Sequence, residues 1–438
     1  MSAPFRVGLL GLGTVGQALV RLLKSNREEI LRRVGRPIVL THAFTRDLKR
    51  RRDCDLNGVT VVSDPRAISR DAPVDVVVEL LGGMSPAREL ILEAIGRGKP
   101  VVTANKALLA EDGNRIFAAA REKGVPVEFE AAVAGGIPII RVLREGLVGN
   151  RIDSLAGIVN GTSNFILTQM QERGLEFSTA LAEAQAQGFA EADPAFDVEG
   201  VDAAHKLAIL ATLAFGMPLS FPKITAEGIG TVTALDLQLA RELGYRIKPL
   251  AIAKREASGV DLRVHPTLVP EHHPLAQVHG VLNSVVVHGN AVGETGYYGK
   301  GAGGDATASA VAADLVEIAR QAGAGVEYQT PPLGFDPGAI REIDVVPISD
   351  VCTSHYLRLR VADSPGVLKA ITSILAELDI SVEAILQKEP RGREDATLAM
   401  ITSVVPERKF NSALERIAAL DFTRPGSTHL RVEHFKTL

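Results

Sequence analysis

The stretch "FRVGLLGLGTVG", residues 5–16, decides how this chain is read. A short apolar run enters a glycine-rich turn. Beyond it Val15, Ala18, Leu19, Leu22 and Leu23 recur at the spacing of one helix face. "GLGTVG" (11–16) thus matches G-x-G-x-x-G between a strand and a helix, the context that gives the motif meaning. Gly11 permits the tight turn, Gly13 lets the backbone approach a pyrophosphate, and Gly16 lets helix and strand pack closely. The helix N-terminus then offers unpaired N–H groups to phosphates. The pattern predicts a dinucleotide site; the plainer alternative is a structural glycine turn.

Three further strands follow: "PIVLTHAFT" (37–45), "VDVVVELLGG" (74–83) and "KPVVTANK" (99–106). "VDVVVELLGG" is apolar nearly throughout, as expected when both sheet faces are covered. Strands alternating with helices predict an α/β fold: a Rossmann-type, doubly wound parallel sheet over residues 1–129. From about residue 127 the pattern changes to mixed α+β, with a strand–turn–helix at 151–170, an all-round apolar helix at 203–216 and β-structure at 245–290. Residues 130–330 are read as a second, mixed domain, with a helix at 305–325 packing back on the first domain. The Pro/Gly-rich stretch 331–350 reads as a linker. Residues 351–438 run βαββαβ, the ferredoxin-like order. Its first helix is expected to be capped by Ser364, with Pro365 in the first turn and Val367, Ile371, Ile374, Leu375 and Leu378 on one face.

The 438 residues are 46% apolar and carry a net charge of −4, enough for several cores and without a basic stripe. Nucleic acid is not an expected partner. The run "KRRRD" (49–53) reads as a solvated loop. Cys54 and Cys352 stand far apart in no metal or redox spacing, which fits a reducing, cytoplasmic setting. The N-terminus lacks the long apolar core of a secretion signal. No apolar stretch reaches about 18 residues, so no membrane span is expected.

Four stretches could carry chemistry. The second strand ends in Arg46 and Asp47, about 30 residues after the glycines where about 20 is usual. An arginine there suits the 2′-phosphate of NADP and an acid the 2′-hydroxyl of NAD; Arg46 lies nearer the strand end and tips the reading to NADP, with NAD still open. Lys106 follows a parallel strand, where open α/β sheets bind ligands. It either opens a solvated loop or polarises a substrate oxygen.

"EADPAFDVEGVDAAHKLAIL" (191–210) crowds Glu191, Asp193, Asp197, Glu199 and Asp202 around Lys206. In a helix Asp202 and Lys206 share a face, either as an ordinary salt bridge or as a buried acid/base pair. Lysine can exchange a proton once desolvation lowers its pKa from about 10.4 toward neutrality. Nearby carboxylates oppose that shift, so some of them are expected to bind something else, such as a cationic amino-acid substrate. His205 points elsewhere on the helix and reads as structural. "EAAVAGGIP" (130–138) offers one carboxylate and several carbonyls, a set that a hard cation could use.

Together "GLGTVG", "VVTANK", "EAAVAGGIP", "NGTSNFI", "GFAEADPAFDVEGVDAAHKLAIL" and "GKGAGGDATASAV" resemble the homoserine dehydrogenases across residues 5–325. The C-terminal unit with "DSPGVL" resembles an ACT domain, as in longer monofunctional members. No kinase-like region precedes residue 1, so the fused aspartokinase form is not expected. The resemblance implies reversible NAD(P)H-dependent reduction of L-aspartate 4-semialdehyde to L-homoserine, on the route to threonine, methionine and isoleucine. It implies Lys206 as proton donor, Lys106 at the reacting oxygen and the cofactor, and Glu191 and Asp202 on the substrate. Thr14 and Val15 would border the nucleotide, with Thr103, Gly188 and Gly303 near it. A sodium ion would sit on Glu130 and the backbones of Val133, Gly135 and Ile137. Residues 130–330 would be the substrate-binding, catalytic and dimerisation domain of a homodimer or homotetramer, and threonine is implied as effector of the ACT domain, unless that domain serves assembly alone. Two rivals remain: a dehydrogenase of another semialdehyde, and a non-catalytic dinucleotide sensor. An acylating semialdehyde enzyme would need a placed nucleophilic cysteine, and neither cysteine lies near these motifs.

Overall fold

The computed structural model describes residues 3–324, 330–388 and 395–435. The outermost residues of the expected domain boundaries, and residue 325 of the expected helix, lie outside these. The chain divides into two compact units. The first comprises residues 1–153, 205–223 and 288–343; the second comprises 154–204, 224–287 and 344–438.

The first unit is built on a six-stranded parallel sheet in the order β3-β2-β1-β4-β5-β6. Its strands are β1 Phe5–Leu10, β2 Ile38–Phe44, β3 Thr60–Val62, β4 Val76–Glu79, β5 Val101–Thr103 and β6 Val127–Glu128. The order reverses between β1 and β4, the position where such sheets bind dinucleotides. Period-two alternation splits β4 between two cores. Val76 and Val78 join Val7, Leu9 and Leu19 on one face. Val77 joins Leu90 and Ile91 of helix α3, Ala87–Gly96, and Leu108 on the other. The Gly304–Ala324 helix packs here: Ala308, Val311, Leu315 and Ile318 share the first core with helix α1, Thr14–Ser25.

An extra short helix, α2 Arg27–Val34, lies between α1 and β2. It accounts for the long interval between the glycines and Arg46. Two strands, β3 and β6, escape the sequence pattern because they are only three and two residues long. The first compact unit also runs past residue 129. Here β6 pairs with β5, and buried Arg144 donates to Glu128 at 2.7 Å, tying the chain after β6 to the sheet.

In the second unit, strands Tyr245–Glu256 and Gly259–Pro270 form a long antiparallel pair. The C-terminal strand Thr423–Val432 joins this sheet in parallel, through Thr267 with Arg431 and Leu268 with Val432. Beyond it lie Cys352–Ala362, Asp395–Thr402 and Val382–Lys388, giving the 4-1-3-2 order of a ferredoxin-like sheet. Asp236 reinforces the junction, accepting Arg358 Nε at 2.6 Å and Tyr356 Oη at 3.1 Å. The Val367–Glu377 helix buries Val367, Ile371, Ile374 and Leu375. Ser364 does not cap it. The helix starts at Val367, and Gly366 precedes it in a left-handed conformation (φ +94°), so the turn carries the entry and Pro365 falls before the helix.

Candidate active site

The glycine loop is built as a phosphate cradle. Gly11 has φ +116°, and a Cβ there would lie 2.8 Å from the Leu80 carbonyl oxygen. A Cβ on Gly16 would lie 2.1 Å from the Gly11 carbonyl oxygen. These two glycines are therefore required by packing. Gly13, the N-cap of α1, is different: a Cβ there would meet nothing within 4 Å. Its bareness leaves open approach to the α1 N-terminus, where the N–H groups of the first turn face outward. Thr14 and Val15 are the first residues of that turn. Gly304 packs against Thr14, at 3.1 Å from its Cγ2 to an added Cβ, which brings Gly303 beside the same end of the helix. These residues fit a dinucleotide.

Beyond β2, Arg46 is exposed. Asp47 is engaged in a turn, its Oδ1 accepting the amides of Lys49 at 2.9 Å and Arg50 at 3.1 Å. Thr103, the last residue of β5, is fully buried and donates its hydroxyl to Glu79 Oε2 at 2.7 Å. Lys106 is half-buried and is the first residue of helix α4, Lys106–Lys123. Asn105 caps that helix by accepting the Leu108 amide at 3.2 Å.

Lys206 lies in the Val201–Phe215 helix and is only 9% exposed. Asp202, one turn earlier, is 3% exposed. His205 packs its ring on Phe221 with centroids 4.2 Å apart, and its Nε2 lies 3.5 Å from Glu111. Within the second unit, Asn160 gathers the acids. Its amide donates to Asp202 Oδ2 at 2.8 Å and to Asp197 Oδ1 at 2.7 Å, while its carbonyl oxygen caps the Gly161–Arg173 helix. Glu191 is exposed on the segment after Gly188, which has φ +74°; Gln185 fixes this segment by donating to the Glu191 carbonyl oxygen at 3.1 Å.

Thus the first unit holds Gly11–Gly16, Arg46, Thr103, Lys106, Lys206 and Gly303, and the second holds Gly188, Glu191 and Asp202. Asn160 is a residue that sequence reasoning passed over. It heads the "NGTSNFI" motif, and an Asn before a helix already signals a cap. Its second role, bridging two acids, needs contacts 37 and 42 residues apart in the chain.

The loop after β6 concentrates buried charge. Glu130 accepts the amides of Ile140 at 2.9 Å and Arg141 at 3.0 Å. Burial nevertheless pushes its carboxyl up to about 7. Asp314 accepts the Glu130 amide at 2.9 Å, and burial, with the neighbouring Glu128 and Glu130, raises its carboxyl well above the usual range. Ala134 takes a left-handed turn, φ +51°, folding the Val133–Ile137 backbone back on itself. Among the described residues, the carbonyls of Val133 and Gly135 accept no backbone hydrogen bond, whereas that of Ile137 accepts the Ile139 amide at 2.8 Å. The donor set is all oxygen, and three buried acids (Glu128, Glu130, Asp314) face two arginines (Arg141, Arg144). Both features fit a hard cation.

Residues 11–130 match the family model described as "Homoserine dehydrogenase, NAD binding domain", residues 138–316 match "Homoserine dehydrogenase", and residues 355–422 match "ACT domain". The chain is 49% identical to a homoserine dehydrogenase of Pseudomonas aeruginosa, covering 98% of this chain and 99% of the relative. The crystal structure of a homoserine dehydrogenase from Thiobacillus denitrificans superposes with a TM-score of 0.94 at 50% identity, covering 98% of each chain. A hyperthermophilic archaeal homoserine dehydrogenase solved with NADPH aligns at 28% identity and a TM-score of 0.61, over 72% of this chain and 98% of that one.

Proposed function

Because this chain belongs to the homoserine dehydrogenase family, which reversibly reduces L-aspartate 4-semialdehyde to L-homoserine with NAD(P)H, we propose that Lys206 is its proton donor. The observation that carries this reading is a lysine buried to 9% exposure one helical turn from a buried aspartate. When bound, the nicotinamide supplies the hydride. As the carbonyl carbon is reduced, its oxygen gains charge, and Lys206 Nζ gives it a proton; in oxidation the same amine accepts that proton. Lys106, at the start of α4, stabilises the developing charge. Glu191 and Asp202 hold the substrate ammonium, with Asn160 restraining Asp202. A carboxylate–ammonium contact also orients the reacting carbon.

The glycine loop with Thr14 and Val15 holds the pyrophosphate, and Thr103, Gly188 and Gly303 border the nucleotide. Arg46 favours NADP, since it stands exposed while Asp47 is occupied by its own turn. The archaeal relative was solved with NADPH, which supports the same preference. Glu130 with the carbonyls of Val133, Gly135 and Ile137 holds a sodium ion that offsets the excess of buried acid.

The ACT domain binds threonine and feeds back on the rate. Its strands share a sheet with the second unit's long hairpin, and the Asp236–Arg358 pair is a rigid tie for any such coupling. Both cysteines are free, and among the described residues no helix is long and apolar enough to cross a membrane; we place the protein in the cytoplasm, as a homodimer or homotetramer. The test is homoserine-dependent reduction of NADP and NAD, with and without threonine. Turnover favouring NADP and slowed by threonine supports the whole reading. A folded, dinucleotide-binding protein that does not oxidise homoserine would overturn it.

A further inference from the structure

At the centre of the first unit's sheet, β4 ends in a carboxylate, Glu79, that is fully buried. A buried acid at a strand end needs donors to compensate for lost water. Glu79 has three. Its Oε1 accepts the amides of Leu81 at 2.7 Å and Gly82 at 3.1 Å. Its Oε2 accepts the Thr103 hydroxyl at 2.7 Å. The same hydroxyl oxygen accepts the Asn105 amide at 3.1 Å. Asn105 then closes the ring by donating its side-chain amide to the Gly83 carbonyl at 2.7 Å, while its own oxygen caps α4.

One carboxylate therefore ties together the loops that leave two neighbouring parallel strands. The first loop, residues 80–83, turns through two left-handed glycines, Gly82 and Gly83, and lies against Gly11 of the phosphate loop. The second, residues 103–106, delivers Lys106. Both lie on the C-terminal side of the sheet, next to its order reversal. Backbone bonds hold the base of each loop, from the Leu80 amide to the Leu10 carbonyl at 2.9 Å and from the Ala104 amide to the Glu79 carbonyl at 3.4 Å; the Glu79 side chain adds the ties beyond them.

We propose that Glu79 is a positioning residue for hydride transfer: through Thr103 and Asn105 it sets where Lys106 stands relative to the glycine loop. Glu79 does not touch the reacting atoms and acts through the lysine. The inference rests on Lys106 working at the reacting oxygen, as proposed above.

The test is a double-mutant cycle of Glu79→Gln and Lys106→Ala, read in kcat, in KM for homoserine and in NADPH affinity. Gln keeps the size and one acceptor oxygen but cannot satisfy all three donors. Glu79→Gln alone is expected to lower kcat by about 10- to 100-fold with little change in KM for homoserine, since a misplacement near 1 Å costs on this order. In the Lys106→Ala background the same change should have almost no further effect on kcat. Losses that multiply, or a Glu79→Gln enzyme at the wild-type rate, would refute the positioning role. If Lys106→Ala is itself fully active, the reading of the lysine fails, an outcome distinct from failure of the cycle. Should Glu79→Gln not fold, Thr103→Val breaks the same chain of hydrogen bonds at its next link and enters the same cycle.

Discussion

Asn160 gives both hydrogens of its side-chain amide to carboxylates, one to Asp202 Oδ2 at 2.8 Å and one to Asp197 Oδ1 at 2.7 Å. It thereby holds together two acids that would otherwise repel, in the segment assigned to the substrate ammonium. Asn160→Asp keeps the helix cap but replaces the donor with a third negative charge. Because hydrogen bonds to charged groups contribute about 1.5–3 kcal/mol, KM for homoserine is expected to rise at least about tenfold. NADPH affinity should stay as it is. Steady-state kinetics and a fluorescence titration check both; an unchanged KM would remove Asn160 from the site.

Arg46 is exposed beyond β2 while Asp47 spends its Oδ1 on two backbone amides. Arg46→Ala should lower kcat/KM for NADP by about tenfold, the low end for a charge-assisted contact at an exposed site. The value for NAD should hardly change. Equal losses with both cofactors would show that Arg46 does not read the 2′ position.

The cation reading makes a claim about stability. A ligand bound only by the folded protein raises its stability by mass action. Melting temperature should be higher in sodium chloride than in choline chloride of equal ionic strength, and Glu130→Gln should abolish the difference. Identical melting curves in the two salts for the parent protein would contradict a sodium site at Glu130.

His355 Nδ1 and His429 Nε2 lie 3.0 Å apart in the ACT region, with His355 stacked on Phe410 at 4.0 Å. Burial, with Arg431 beside both rings, holds His355 near 2 and His429 near 3, so both are neutral in the folded chain. His355, His429 and Glu407 place ligating atoms within 4.8 Å of one another, as a metal site would. Arg431 already engages both Glu407 oxygens, at 2.9 and 2.7 Å, and its charge opposes a cation there. The arrangement speaks for a pair of neutral rings. The unfolded chain binds these protons near the ordinary histidine value of 6.5, and the folded chain does not. Stability from this pair is therefore complete above about 6.5 and falls as pH drops toward 3, by about 1.4 kcal/mol per pH unit for each ring. Urea midpoints between pH 7 and pH 5 should fall less steeply for His429→Gln than for the parent. Parallel pH dependences would show that His429 is not held neutral.

Much of this was legible in the sequence, for local reasons. Gly11, Gly13 and Gly16, the valine run of β4 and the apolar helix after Lys206 signal through short-range pattern, and so do the order and spacing of the family motifs. What stayed hidden depends on long-range contact. β6 is two residues long and exists because β5 is beside it. Asp314 contributes to the Glu130 site from 184 residues away. Glu79 closes the valine run of β4, and only the fold shows that its carboxylate accepts a hydrogen bond from the next loop. Ser364 fit the rule for a helix cap, but a left-handed Gly366 moved the start of the helix beyond its reach.

The most direct test of the account is single-turnover reduction of L-aspartate 4-semialdehyde by the Lys206→Ala variant, with NADPH affinity measured on the same protein. If Lys206 is the proton donor, NADPH should bind as to the parent while the rate of turnover falls by at least about a hundredfold, the loss typical for a general acid. A variant that binds NADPH and turns over within a few-fold of the parent would contradict the assignment and move the proton to another group.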